Sequence, residues 1–155
     1  MVLGLASLVA AALLGTTPAA PAGESCDERG TRVHVARFIS AFNRGDFKTL
    51  DRLFARGTGW HWYSVGTAPG RRIQGWAYDR KTLVKYFRAR HKKHERLKLQ
   101  TLRFNGLSAG YGHFEFWVSR TADDIAAPVP RTYHGKGAMS CWAGKLGVWA
   151  MGEES

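Results

Sequence analysis

Two pairs of side chains in this 155-residue chain have the types and spacing to move a proton. His61 and Tyr63 stand two apart in the aromatic run from Trp60 to Val65, where an imidazole and a phenol could bind a carbonyl or hydroxyl and transfer a proton. His113 and Glu115 stand two apart in a second run, where the carboxylate could orient and activate the imidazole as a general base. Side chains alternate across a strand, so His113 and Glu115 share a face with Trp117, opposite Phe114, Phe116 and Val118. The apolar face is the one expected to turn inward, which reads His113 and Glu115 as a polar pair outside, either wet or at a dimer contact. Asp27, Glu28, Asp46, Asp79, Asp123, Asp124, Glu153 and Glu154 fall at helix starts, turns or the tail, so Glu115 is the acid expected in mid-strand. His34, His91, His94 and His134 lack metal-ligand spacing, and the lysine-rich setting of His91 and His94 disfavours a cation, so no metal is expected. Gly106, Gly110 and Gly112 lack the spacing and the strand-to-helix setting of a phosphate cradle, and no cofactor is expected.

The length suits one domain with one sizeable core. Residues 1–22 read as a secretory signal. Val2 to Leu14 is uncharged, Ala20-Pro21-Ala22 forms an A-x-A site, and the run is too short to span a bilayer, although no Lys or Arg stands beside Met1. Cleavage near Ala22 leaves 23–155 as the mature, secreted domain. In an oxidising compartment Cys26 and Cys141 suggest one long-range disulfide, worth roughly 3–5 kcal/mol on the chain-entropy model. Lipidation of Cys26 and two free buried thiols are the alternatives, the first disfavoured by Gly23 where a lipoprotein signal carries Leu.

The net charge is +11, with the excess concentrated between Arg80 and Lys98. Lys81, Lys85, Arg88 and Lys92 fall at helical spacing opposite Leu83, Val84 and Phe87. Such a stripe is usually a solvated face, and otherwise fits an anionic envelope polymer. No nucleic-acid-binding motif accompanies it, so no specific nucleic acid is expected.

The elements that must position these residues follow from pattern. Ser25 and Glu28 form a capping box, and Val35, Phe38, Ile39 and Phe42 carry a helix from about Cys26 to Arg44, ended by Gly45. Asp46 caps a second helix with Phe47, Leu50, Leu53 and Phe54 on its apolar side, stopped by Gly57 and Gly59. Trp60 to Val65 reads as a strand, and Asp79 caps a third helix that fades near His94. From Arg96 the period drops to two, with a phase change that predicts a bulge near Gln100 or Thr101. Asn105-Gly106 begins a turn, Tyr111 to Ser119 returns, and Tyr133 to Trp142 and Leu146 to Met151 form a hairpin around Ala143, Gly144 and Lys145. The six tryptophans are expected in core or interface.

The run from Arg37 to Asp46, with a second short helix, an aromatic strand, a third helix and four strands, resembles the nuclear-transport-factor-2-like superfamily, in its SnoaL-like and ketosteroid-isomerase-like branch. The resemblance implies an α+β fold of the cystatin-like kind: a cone-shaped, curved mixed sheet wrapped around three helices of the N-terminal half, enclosing one apolar pocket. It implies that Phe38, Phe42, His61, Tyr63, Phe114, Phe116, Val118 and Trp149 line that pocket, and that a homodimer forms through the outer sheet face. The isomerase's catalytic positions would fall on Phe38, Tyr63 and near Ala138, where its tyrosine and two carboxylates are missing. The expected function is therefore an exported binder of a small apolar molecule. The alternatives are a lyase or isomerase working through His61 and Tyr63, and a basic envelope protein that binds polyanions.

Overall fold

Each helix begins where a short acid caps it, as a computed structural model shows for residues 25–56, 62–65, 79–125 and 130–153. Helix α1 spans Glu28–Arg44, α2 Phe47–Leu53 and α3 Arg80–Lys92. Asp27 Oδ1 accepts from the Gly30 amide at 2.7 Å, Asp46 Oδ1 from Thr49 at 3.0 Å, and Asp79 Oδ1 from Thr82 at 2.9 Å. The α1 cap is thus Asp27 rather than Ser25. Ser25 instead lies so close over the first turn that any side chain at Gly30 would strike its backbone carbonyl. Gly45, at φ 69°, ends α1 in the left-handed conformation expected of it. Helix α2 stops at Leu53 because Phe54 turns extended and bridges Leu146, with the Ala55 amide donating to the Leu146 carbonyl at 2.8 Å. The glycines read as its stop, Gly57 and Gly59, lie outside the described residues.

Strands β1 (Trp62–Val65), β2 (Arg96–Ser108), β3 (Tyr111–Thr121), β4 (Arg131–Ser140) and β5 (Lys145–Glu153) form one sheet in the order β1-β5-β4-β3-β2. Strand β1 runs parallel to β5 and every other pair is antiparallel. The result is the expected α+β architecture, a curved mixed sheet with its helices on the inner face. The β2 bulge lies between Leu99 and Thr101, as the phase change predicts, and a second lies between Phe104 and Gly106. That second bulge absorbs the positive φ of Gly106, so Asn105-Gly106 does not start the turn and β2 runs on to Ser108. Strand β4 is displaced likewise, beginning at Arg131 and ending at Ser140, with the turn at 141–144.

The disulfide joins Cys26, just before α1, to Cys141 at the β4–β5 turn. The incoming segment lies so close across β3 that a side chain at Gly112 would meet the Cys26 carbonyl. The alternating burial of β3, with Gly112, Phe114, Phe116, Val118 and Arg120 buried, turns the aromatic phase toward α1. This phase, Trp149 and Met151 of β5, and Val35, Phe38 and Phe42 of α1 form one core.

Candidate functional site

Six of the eight residues predicted to line a pocket converge on that core: Phe38, Phe42, Phe114, Phe116, Val118 and Trp149 are all buried in one cluster. The Phe116 ring stacks on the Trp149 indole with centroids 3.7 Å apart, and Phe38 of α1 meets the same indole at 4.7 Å. Glycines on β4 make this possible. Phe114 pairs with Gly137 and Phe116 with Gly135, and a methyl group at either glycine would collide with the ring opposite. The two rings therefore lie across β4 and reach β5. The Trp149 Nε1 is buried, with no hydrogen-bond partner among the described residues. Tyr63 pairs in register with Trp149, and His61 lies outside the described residues.

A second cluster was not foreseen. Glu95 and Arg120, 0% and 1% exposed, form a two-pronged ion pair in which Nε and Nη2 of the arginine donate to the carboxylate at 2.7 and 2.9 Å. Arg90 of α3 also donates to Glu95, and its other two nitrogens clasp Asp124 at 2.8 and 2.7 Å. The Arg120 guanidinium lies 5.1 Å over the Tyr133 ring. Burial alone would lower the Arg90 pKa, but the Asp124 bonds and the Glu95 charge outweigh it and hold the guanidinium above its ordinary value. Burial, with the Glu95 charge beside it, pushes the Tyr86 phenol up, so it stays neutral. In sequence Glu95 directly follows the basic run of α3, where an acid reads as part of a solvated face. Its signal was phase, since Glu95 alternates with Leu97, Arg120 alternates with Val118 and Phe116, and Leu97 pairs with Arg120. Glu95 is the one buried carboxylate among the described residues, and with both its oxygens held by arginines it is placed to anchor α3 to β3, not to abstract a proton.

His113 and Glu115 do not pair. Glu115 lies 3.7 Å from Lys136 and 4.0 Å from His134 on the next strand, while His113 Nε2 lies 3.3 Å from the Ser108 hydroxyl. Beside them the Trp117 and His134 rings stack at 4.5 Å on the outer face. Trp142, read as core or interface, is 76% exposed on the β4–β5 turn, with one edge against Tyr111. His94 pairs with Asp123 at 2.8 Å, and among the described residues no three His, Cys, Asp or Glu side chains gather as metal ligands.

No protein-family model matches the chain, and no curated protein matches it in sequence. Solved structures do. The chain superposes on the orange carotenoid protein of Anabaena (Nostoc), described with canthaxanthin bound, with a TM-score of 0.61 at 15% identity over 76% of this chain. It spans only 34% of that protein's length. A Streptomyces avermitilis protein of the NTF2-like family, described as a candidate dehydratase, matches with a TM-score of 0.60 at 13% identity over 81% of this chain and 94% of its own. A ketosteroid isomerase-like protein from Erwinia carotovora matches with a TM-score of 0.53 at 14% identity, over 80% and 93%. The chain has the nuclear-transport-factor-2-like fold that the order of its elements anticipates.

Proposed function

We propose that the chain is an exported protein that binds one small, largely apolar molecule bearing a hydrogen-bond acceptor, at the aromatic cluster that α1 and the inner sheet face build around Trp149. The carrying observation is the Trp149 indole N–H, fully buried among aromatic rings with no partner among the described residues. An orphaned buried donor costs about 1–3 kcal/mol, which a ligand carbonyl or hydroxyl would recover. The carotenoid protein of the same fold, which holds the apolar canthaxanthin, supports this ligand class. The apolar leader and the Cys26–Cys141 bridge support export, since structural disulfides persist in oxidising compartments.

Native mass spectrometry of the exported protein tests the reading together with the dimer expected through the outer face. A copurified adduct is expected in the wild type and its depletion in Trp149→Phe, which keeps a ring and removes the donor. An adduct-free wild type whose tryptophan fluorescence also ignores added canthaxanthin would refute it. A polyanion-binding reading draws on a separate feature, the exposed Lys81, Lys85, Arg88 and Lys92 of α3, three of which flank a groove of about 500 Å³ beside Phe47. Envelope binding that survives high salt would contradict it.

A further inference from the structure

A different cleft, of about 300 Å³, lies where α1, α2 and the β4–β5 turn meet. Arg37 of α1, Arg52 of α2 and Lys145 of β5 line it, with Thr49 beside them and the buried His34 and Leu53 at its floor. Among the described residues that line it there is no carboxylate and no member of the aromatic cluster. Among the described residues, Arg32 pairs with Glu28, Arg56 and Arg80 with Asp51, and Arg90 and Arg120 with Glu95. Arg37, Arg52 and Lys145 form no ion pair among the described residues; Arg52 bonds the Thr49 hydroxyl at 3.3 Å, and its charge helps hold the nearby Asp46 carboxyl below its ordinary pKa without pairing with it. Three cations without a salt-bridge partner, from three separate elements, thus converge on one concavity.

The cleft is also preorganised. His34 Nε2 lies 2.8 Å from the Leu53 carbonyl, which only accepts, so this nitrogen carries the proton and ties α1 to the end of α2. The turn that presents Lys145 is closed by Gly144 N–H donating to the Ser140 carbonyl at 2.8 Å and Ala143 N–H donating to the Ser140 hydroxyl at 3.3 Å. Gly144 takes a φ of 59°, and Cys141 in the same turn is covalently fixed to Cys26 at the start of α1. The charges therefore do not depend on a floppy loop for their placement.

We infer that this cleft is an anion site for a phosphate group, either the free ion or the phosphoryl end of a small monoester. Guanidinium forks match phosphate oxygens two at a time, and a phosphate monoester near pH 7 carries about −1.5 to −2, which suits three cations better than a single carboxylate does. The volume lies at the small end of ligand sites, about 300–1,000 Å³, which excludes a long chain.

The experiment is a titration of the full exported protein with inorganic phosphate and, in a second arm, phenyl phosphate, followed by NMR chemical shifts and thermal unfolding, with sodium chloride at matched ionic strength as reference. Saturable shifts and a rise in Tm absent in chloride are expected, with affinity falling about tenfold on each loss of charge in Arg37→Gln and Lys145→Gln. Lys98→Gln on β2 should leave it unchanged. Tighter binding of phenyl phosphate identifies a monoester as ligand, and tighter binding of the free ion identifies phosphate itself. Equal responses to phosphate and chloride, or undiminished affinity in folded Arg37→Gln and Lys145→Gln variants, overturns the assignment.

Discussion

Replacing Glu95 by Gln keeps its size and removes its charge, and the consequence is set by what it leaves behind. Arg120 is 1% exposed, and both its bonds to Glu95 are charge-assisted, at 2.7 and 2.9 Å. Breaking a buried pair from one side costs about 3–5 kcal/mol, because the surviving charge stays in low dielectric without a counter-charge. Arg90 loses a partner too, but it keeps Asp124 at an exposed edge, where a pair is worth at most about 1 kcal/mol. Against a total stability of about 5–15 kcal/mol, the loss is large. At about 3–5 °C per kcal/mol for a chain of this size, Tm should fall by about 10–20 °C. Guanidinium chloride unfolding followed by circular dichroism measures the loss as a shift in midpoint at unchanged slope. The double variant Glu95→Leu with Arg120→Met removes both charges and should recover most of it. A Glu95→Gln loss below about 1 kcal/mol, or a double variant costing as much as both single changes together, would show that Arg120 is not an enclosed charge and refute the reasoning.

Reduction of the disulfide, or Cys26→Ser with Cys141→Ser, reopens a loop of 115 residues and should cost about 4–5 kcal/mol, read as the Tm difference with and without reductant. Gly137→Ala places a methyl against the Phe114 ring and should cost about 1–3 kcal/mol while changing the near-ultraviolet dichroism of the aromatic cluster. The Gly30 amide bonded to Asp27, the Thr49 amide bonded to Asp46, and Arg90 bonded to Asp124 each hold a carboxyl below its ordinary pKa. Folded values below the unfolded value of about 3.9 make these contributions complete above roughly pH 4–5 and lost as pH falls through the folded values. A scan of Tm from pH 6 to 2 should show this decline, flatter in Asp124→Asn; a parallel decline in that variant would exclude Asp124 from it.

What the sequence determined by itself is what neighbours along the chain decide. Asp46 and Asp79 cap helices because a short side chain reaches an amide three residues on, and the period-two alternation of Phe114, Phe116 and Val118 set the inward face of β3. The bulge after Leu99 was visible as a slipped phase, and the pair of cysteines suggested the bond that joins them. Element ends were less legible: the β2 bulge at Gly106 concealed four further strand residues, 105–108, and the first cap is Asp27 rather than Ser25. Tertiary structure alone decided the charges and the orphan donor. Glu95 meets Arg120 across 25 residues and Arg90 meets Asp124 across 34, while Arg37, Arg52 and Lys145 gather only once two helices and a hairpin end have docked. A charge shows its sign in sequence, but its partner is set by strand register and helix packing, and in a chain with 23 basic residues nothing local separates a paired arginine from one left waiting for an anion.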